Sequence, residues 1–420
     1  MSEILNLNIQ SEIGELEGVI LHTPGAEVEN MTPGTAQRAL YSDILNLSIA
    51  KNEYEQLSGV LEKYTRTFYV SKLLENVLAN YSQRESLIKK ICVAEGALEY
   101  YDELMDMPSK ELSGALIEGV PARKNTLTAY LSDEYYALYP LYNFYFTRDA
   151  SVTIGSNALI CRMANKVRMR ESFIMEAIFK GSGAFSGGII NAHEFSPGSD
   201  DIYMEGGDIL IARDDILIVG NGCRTSARGI DMLVGRLCKE HTKGIRHIIV
   251  QQLPSSPESF IHLDMVFTLL DRDRCMVYEP LVLRDNQYQT VHMTIDNGRV
   301  SGIRSVPTIL HALKELGMDL EPVACGGSTD EWNQEREQWH SGANFFALAP
   351  GKLLSYSRNV NTLDELARCG FEIIPAWDII KGVKDASDYG KCVITIEGSE
   401  LPRGGGGARC MTMPVRRKAL

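Results

Sequence analysis

From about residue 145 to the end of the chain, strand-like and helix-like patterns alternate, which confines the chain to α/β architectures. "SVTIGSNALICRM" reads as two strands around Gly155-Ser156-Asn157, and "DDILIVGNG" as a strand ending in turn residues. Ile230, Leu233, Val234 and Leu237 then recur at helical spacing, Gly244 is the expected stop, and "RHIIVQQL" is a strand. "FFALAPGKLLSYS" has the pattern of a hairpin around Pro350-Gly351. After it, Thr362 and Glu365 stand at capping-box spacing, Leu363, Leu366 and Ala367 follow, Gly370 ends the helix, and "FEIIPA" is a strand. The unit is helix, strand, strand, helix, strand, with no sequence repeat behind it.

Residues 72–140 read differently. Leu74, Val77, Leu78 and Tyr81 are spaced as one helical face. Ser82 and Glu85 suggest a second start, followed by Leu87, Ile88, Ile91 and Cys92, and "PSKELSGALIEG" gives a further short helix. The segment is expected to be a helical insertion, nearly without strands, in an otherwise α/β chain.

A length of 420 residues suggests two or three cores by default. Hydrophobic content of 44% and charged content of 23% are globular values. A net charge of −13 argues against general binding of nucleic acid or anionic membrane. Arg416, Arg417 and Lys418 read as a solvated tail. The N-terminus lacks a basic start followed by an apolar run, and no stretch has the roughly 18 apolar residues of a membrane span. The nine cysteines show no CxxC pair, the pattern of reduced cytoplasmic thiols. Cys92, Cys161, Cys238 and Cys275 sit in apolar segments and are expected to be core residues.

"GGGGARCMTMPV" places four glycines just before Cys410. Such freedom suits either a loose tail or a loop that brings a reactive sulfur close to a ligand. Four other stretches carry chemistry. "NFYFTRDAS" sets Arg148 and Asp149 where a strand would lead into a turn, and "MEGGDIL" sets Glu205 and Asp208 around two glycines. "FIHLDMVFTLLD" places His262 and Asp264 two apart, on one face if the backbone is a strand. "KVRMRESF" and "GNGCRTSARG" supply Arg168, Arg170 and Arg224. Singly, each has a plain structural reading: a surface ion pair, a tight turn, a polar surface pair, exposed arginines. Together they offer a thiol, a histidine and three carboxylates on separate turns, a set suited to a planar cation. A guanidinium carbon held by carboxylates is an electrophile for a thiolate.

These stretches, with "HLDMVFT", "ACGGSTDEWNQEREQWHSGANFFALAPG" and "RGGGGARCMTMPVRRK", resemble arginine deiminase of the guanidino-group-modifying superfamily and run in that family's order from residue 143 onward. The resemblance implies a five-module pseudo-symmetric α/β propeller, the pentein fold, as one catalytic domain over 1–420 with the 72–140 insertion inside it. By motif, Cys410 matches the nucleophile, His262 the general acid/base, Glu205 its orienting carboxylate, and Asp149 and Asp264 the guanidinium clamps. Asn143, Arg168 and Arg224 match the groups that hold the amino-acid end of the substrate, and Phe146 a ring lining the site. The implied reaction is hydrolysis of free L-arginine to citrulline and ammonia, the first step of arginine catabolism, by a cytoplasmic homo-oligomer without metal or organic cofactor. The sequence departs from the family at Ala150, Met265 and Gly404–Gly407, and "NAHEFSPGSDD" (191–201) is unfamiliar. Rival readings are an amidinotransferase, a deiminase of agmatine or another guanidino compound, a metal-dependent guanidino hydrolase using His262, Asp264 and Glu205, and a non-catalytic arginine-binding protein.

Overall fold

Five sheets share one strand pattern: two strands pair antiparallel and a third joins in parallel. The computed structural model describes residues 4–36, 41, 43–195, 201–239 and 244–420. In the first sheet Leu16–Leu21 pairs antiparallel with Met413–Arg417 and parallel with Arg66–Tyr69. The second joins Ser151–Ile154, Asn157–Ile160 and Gly188–Asn191. The third joins Ile209–Arg213, Ile216–Asn221 and His247–Gln252, and adds the hairpin Thr290–Asp296 and Arg299–Val306. The fourth joins Phe267–Asp271, Arg274–Val277 and Glu321–Ala324. The fifth joins Phe346–Ala349, Lys352–Tyr356 and Cys392–Ile396, with Glu372–Pro375 beside the last.

The pattern follows from local rules. Tight turns at Gly155-Ser156 and Pro350-Gly351 make the antiparallel pairs, whereas a parallel strand needs a crossover long enough for a helix such as Ala227–Lys239. Strands covered on both faces carry unbroken apolar runs, as in the buried residues Ile216–Val219. Neighbouring sheets touch in chain order. Met413–Arg417 meets Ser151–Ile154, and the short helix Thr147–Ala150 meets the turn Gly206–Asp208, which meets the turn Leu263–Met265. Phe267–Asp271 then meets Phe346–Ala349, which returns to Leu16–Leu21.

The structure corrects several local expectations. The basic C-terminal cluster is not a solvated tail: Arg417 ends a strand, is buried, and donates to the carbonyl of Gly14 at 2.7 Å. Tyr81 does not share a face with Leu74. The helix Val70–Leu78 stops first, and Asn80 caps a new one, Tyr81–Glu95, by accepting from Gln83 N at 3.2 Å. The helical segment also contains a small strand pair, Val120–Pro121 with Tyr136–Leu138. Asn359, not Thr362, is the N-cap of Val360–Arg368; Thr362 lies inside the helix and its hydroxyl donates to Glu337 at 2.6 Å. Cys92, Cys161 and Cys275 are buried and Cys238 is half-buried. Gly244 follows residues 240–243, which lie outside the described residues, as do 196–200 of the unfamiliar stretch.

One helix reaches the glycine-rich loop. Leu47–Tyr64 packs Tyr54, Leu57, Val60 and Leu61 inward, and Glu53 is buried with them. The Glu53 carboxylate accepts from the backbone N–H groups of Ser399, Glu400 and Leu401, just ahead of the four glycines. Glu53→Gln puts an amide donor against those donors. It is expected to lower stability by roughly 1–3 kcal/mol in urea unfolding, the cost of a buried unpaired polar group. An unchanged midpoint would show that Glu53 does not anchor the loop.

Candidate active site

Each sheet delivers its polar residues from the same place, the turn just ahead of one of its first-paired strands. Asp149 lies in Thr147–Ala150 before Ser151, Glu205 and Asp208 flank the turn before Ile209, and His262 and Asp264 lie before Phe267. Asn344 precedes Phe346, Cys410 precedes Met413, and Glu12 precedes Leu16. The repeated unit therefore brings together side chains far apart in sequence.

His262 is the centre of one half of the site. It is not on a strand, as its spacing from Asp264 had suggested, but is the extended residue before a 3-10 turn. Its Nε2 lies 2.9 Å from Glu205 Oε2 and its Nδ1 lies 3.7 Å from Asp149 Oδ1. Burial opposes the charged imidazolium, but Asp149, the Glu205 hydrogen bond and Asp208 outweigh it and raise the pKa to about 9. Glu205 is itself held low. Burial works against its charge, and Arg224 and His262 overcome that cost.

Cys410 is the centre of the other half. Its Sγ lies 3.6 Å from Asp264 Oδ2 and accepts from Asn344 Nδ2 at 3.2 Å. Asn344 Oδ1 accepts from the backbone N–H groups of Arg409 and Cys410, at 2.9 and 3.2 Å, and Nδ2 also donates to the Asp264 carbonyl. The backbone N–H of Arg148 donates to the Cys410 carbonyl at 3.1 Å. Burial, then Asp264 and Asp149, push the Cys410 thiol well above its ordinary value. The buried thiol is thus held in its neutral form, in the same cavity as a histidine that favours its charged form.

Two internal arginines already hold the carboxylates matched to guanidinium clamps. Arg168 donates to Asp149 at 2.7 Å and grips Glu171 through two bonds of 3.0 and 2.8 Å. Arg409 donates to Asp264 at 2.8 Å and grips Glu12 through two bonds of 3.1 Å. The plain readings of Arg148-Asp149 as a surface ion pair and of the arginines as exposed are therefore overturned. Arg148, Asp149, Arg168 and Arg170 are all buried. Arg224 lies 3.5 Å from Glu205 Oε1, with 14% of its side chain exposed.

Asn143, Phe146, Asp149, Arg168, Arg224, His262 and Cys410 line one cavity with Gly404–Gly406. At about 20 Å³ it holds no more than a water molecule. Space or backbone conformation calls for glycine at 404–406. A Cβ at 406 would come within 2.5 Å of the Phe146 ring, one at 404 within 2.0 Å of the Tyr145 hydroxyl, and Gly405 has φ +83°. Beyond this wall a second cavity of about 490 Å³ shares Arg224, Ile261, Gly404 and Gly405.

Seven of the nine expected residues line the small cavity. Glu205 stands behind His262, and Asp264 beside Cys410. Asn344, Glu171 and Glu12 were missed. Asn344 lay inside a quoted motif, but no pattern marked it. The set of the rival metal-dependent reading, His262, Asp264 and Glu205, does not assemble, because Asp264 faces Arg409 and Cys410. Among the described residues Asp149, Glu205 and His262 do converge, with ligand atoms within 4.8 Å. Arg168 and Arg224 already match the charge of those carboxylates.

A sequence profile described as arginine deiminase matches residues 37–417. The arginine deiminase of Listeria monocytogenes serotype 4b (strain CLIP80459) is 32% identical over 433 residues, spanning 99% of this chain and 98% of that one. That of Bacillus cereus (strain B4264) is 32% identical over 438 residues, spanning 99% of both. The chain belongs to the arginine deiminase family. Among solved structures it is similar to the N-terminal domain of ArgZ, a cyanobacterial arginine dihydrolase, in a mutant bound to substrate. That match has a TM-score of 0.51 at 12% identity, covering 96% and 99% of the two chains. It is also similar to SxtG, an amidinotransferase from Microseira wollei, with a TM-score of 0.51 at 13% identity, covering 99% and 98%. At those identities the likeness speaks for the α/β fold alone. No helix among the described residues is long and apolar enough to cross a membrane.

Asn344 gives a test of how this family member sets its thiol. Asn344→Ala leaves the Arg409 and Cys410 N–H groups unpaired and removes the donor to sulfur. The expected loss in kcat/KM is about 10- to 100-fold, with each 1.4 kcal/mol worth tenfold. Unaltered kinetics would show that the amide does not position Cys410.

Proposed function

We propose that this arginine deiminase, a hydrolase of C–N bonds, converts free L-arginine to citrulline and ammonia through a covalent intermediate on Cys410. The observation that carries the reading is the pairing, across one small buried cavity, of a thiol next to Asp264 with a charged His262 next to Asp149. Substrate entry displaces Arg168 from Asp149 and Arg409 from Asp264, and the guanidinium takes their places. The glycine loop between the small and the 490 Å³ cavities is the gate. Arg168, Arg224 and Asn143 then hold the carboxylate and amino end, and Phe146 lines the site.

The substrate's positive charge favours the Cys410 thiolate, whose proton passes to solvent. Sulfur attacks the guanidinium carbon, forming a C–S bond. His262, held at Nε2 by Glu205 and without a hydrogen-bond partner at Nδ1, donates its proton to the departing nitrogen, and the C–N bond breaks to release ammonia. The adduct is an amidino-thioether that keeps the rest of the substrate. Neutral His262 takes a proton from water, the oxygen adds to the carbon, the C–S bond breaks, and citrulline leaves. No step asks for a metal or organic cofactor.

The five sheets are read as five modules of a closed propeller, one catalytic domain with 72–140 as its insertion. The shared strand pattern and the contacts leading back to the first sheet support this. Self-association and a cytoplasmic location go with the reading.

Incubation with L-arginine and a chelator is expected to give citrulline and ammonia in equal amounts, and none with Cys410→Ser. Release of urea, or citrulline from Cys410→Ser at the wild-type rate, would overturn the mechanism. The pH dependence has a definite sign. His262 is raised from 6.5 to about 9, so its proton is present at neutral pH and is lost as pH rises through about 9. The kcat/KM profile should fall through that range. In Glu205→Gln the loss of the carboxylate should move the falling limb toward lower pH. An alkaline limb that stays in place would separate it from the His262–Glu205 pair.

A further inference from the structure

A third cavity, of about 450 Å³, opens between the helical segment and the turn that carries Arg168. Arg170 lines it, on the helix Met169–Gly181. Only 1% of its side chain is exposed, Nη2 donates to the Tyr139 carbonyl, and Nε lies 3.4 Å from Glu95, yet neither Nε nor Nη1 makes a hydrogen bond. A buried guanidinium in this state is short of acceptors. Burial lowers its pKa more than Glu95 and Glu171 restore it, which agrees with an under-compensated charge. Lys166 lines the same cavity; it is exposed, and its ammonium has no partner among the described residues. Of the lining carboxylates, Glu95 faces Arg170, Glu134 accepts from Tyr139 and Glu171 is gripped by Arg168, while Glu99 is exposed at the rim.

We propose that this cavity binds a small anionic molecule carrying a phosphate or a carboxylate group, with Arg170 and Lys166 as its cationic partners. The volume lies in the range of small-molecule sites, and tyrosine rings at Tyr100, Tyr136 and Tyr139 provide apolar wall. The site is separate from the reacting thiol but shares Asn143 and Arg168 with the catalytic cavity. An occupant would therefore sit against the arginine that holds Asp149.

The test is calorimetric titration of the 420-residue chain with inorganic phosphate and, separately, with succinate, in a buffer free of both. One of the two is expected to bind once per chain with millimolar or better Kd, and about tenfold more weakly in both Lys166→Ala and Arg170→Gln. Lys166→Ala alters an exposed side chain, so it keeps the result readable if Arg170→Gln fails to fold. Binding of phosphate alone assigns a phosphate-bearing ligand, and binding of succinate alone a carboxylate-bearing one. Binding of neither, an unchanged Kd in Lys166→Ala, or displacement by arginine in simple competition overturns the proposal. Because the readout is binding, it stands or falls separately from citrulline production.

Discussion

Charge held out of water is the constraint on which the rest of the structure depends. Six carboxylates, Glu12, Asp149, Glu171, Glu205, Asp208 and Asp264, are buried at the centre of the chain with Arg168, Arg409 and His262. A buried charge is costly unless it is paired and hydrogen-bonded, and removal of one partner of such a pair typically costs about 3–5 kcal/mol. Arg168 and Arg409 each bridge one carboxylate of the reacting centre to one outside it, Asp149 to Glu171 and Asp264 to Glu12. The Arg409 pairs join the two turns of the first sheet that carry Glu12 and Arg409 to the fourth sheet's turn at Asp264, and the Arg168 pairs join the second sheet's turn at Asp149 to the helix Met169–Gly181. They also leave the centre ready for a different cation, because the groups that suit an internal guanidinium suit an external one.

The same constraint explains the protonation states. Burial alone would neutralise both His262 and Cys410. The carboxylates reverse the outcome for the histidine and reinforce it for the thiol, since negative charge favours a cation and disfavours a thiolate. One electrostatic environment thus favours a charged His262 and a neutral Cys410 thiol, the acid and the nucleophile of the proposed mechanism. Binding of a positive charge changes the second without needing to change the first. The glycine loop packs its backbone directly against Phe146 and Tyr145 over this centre.

Much of the architecture could be read from the chain itself. Period-two apolar runs and turn residues located the hairpins at 151–160 and 346–356, because strand pairing through a tight turn is a local matter. Glycine density before Cys410 marked a close approach of backbone, and that is what the loop makes. The local reading failed where a residue's environment is supplied from elsewhere. Asp149 reads as half of a surface pair with Arg148 until the fold sets Arg168 beside it. Arg417 reads as a tail until its strand pairs with the N-terminal one.

By itself, the sequence determined the strand and helix alternation, the family and the residue types available for chemistry. Those depend on order and spacing along the backbone. Only the tertiary structure decided which charges meet. Glu12 reaches Arg409 across 397 positions, and Asn344 reaches Cys410 across 66. No periodicity links such partners, because their nearness comes from five sheets each presenting a turn to the same buried centre. There the cost of an unpaired charge selects the contacts that form.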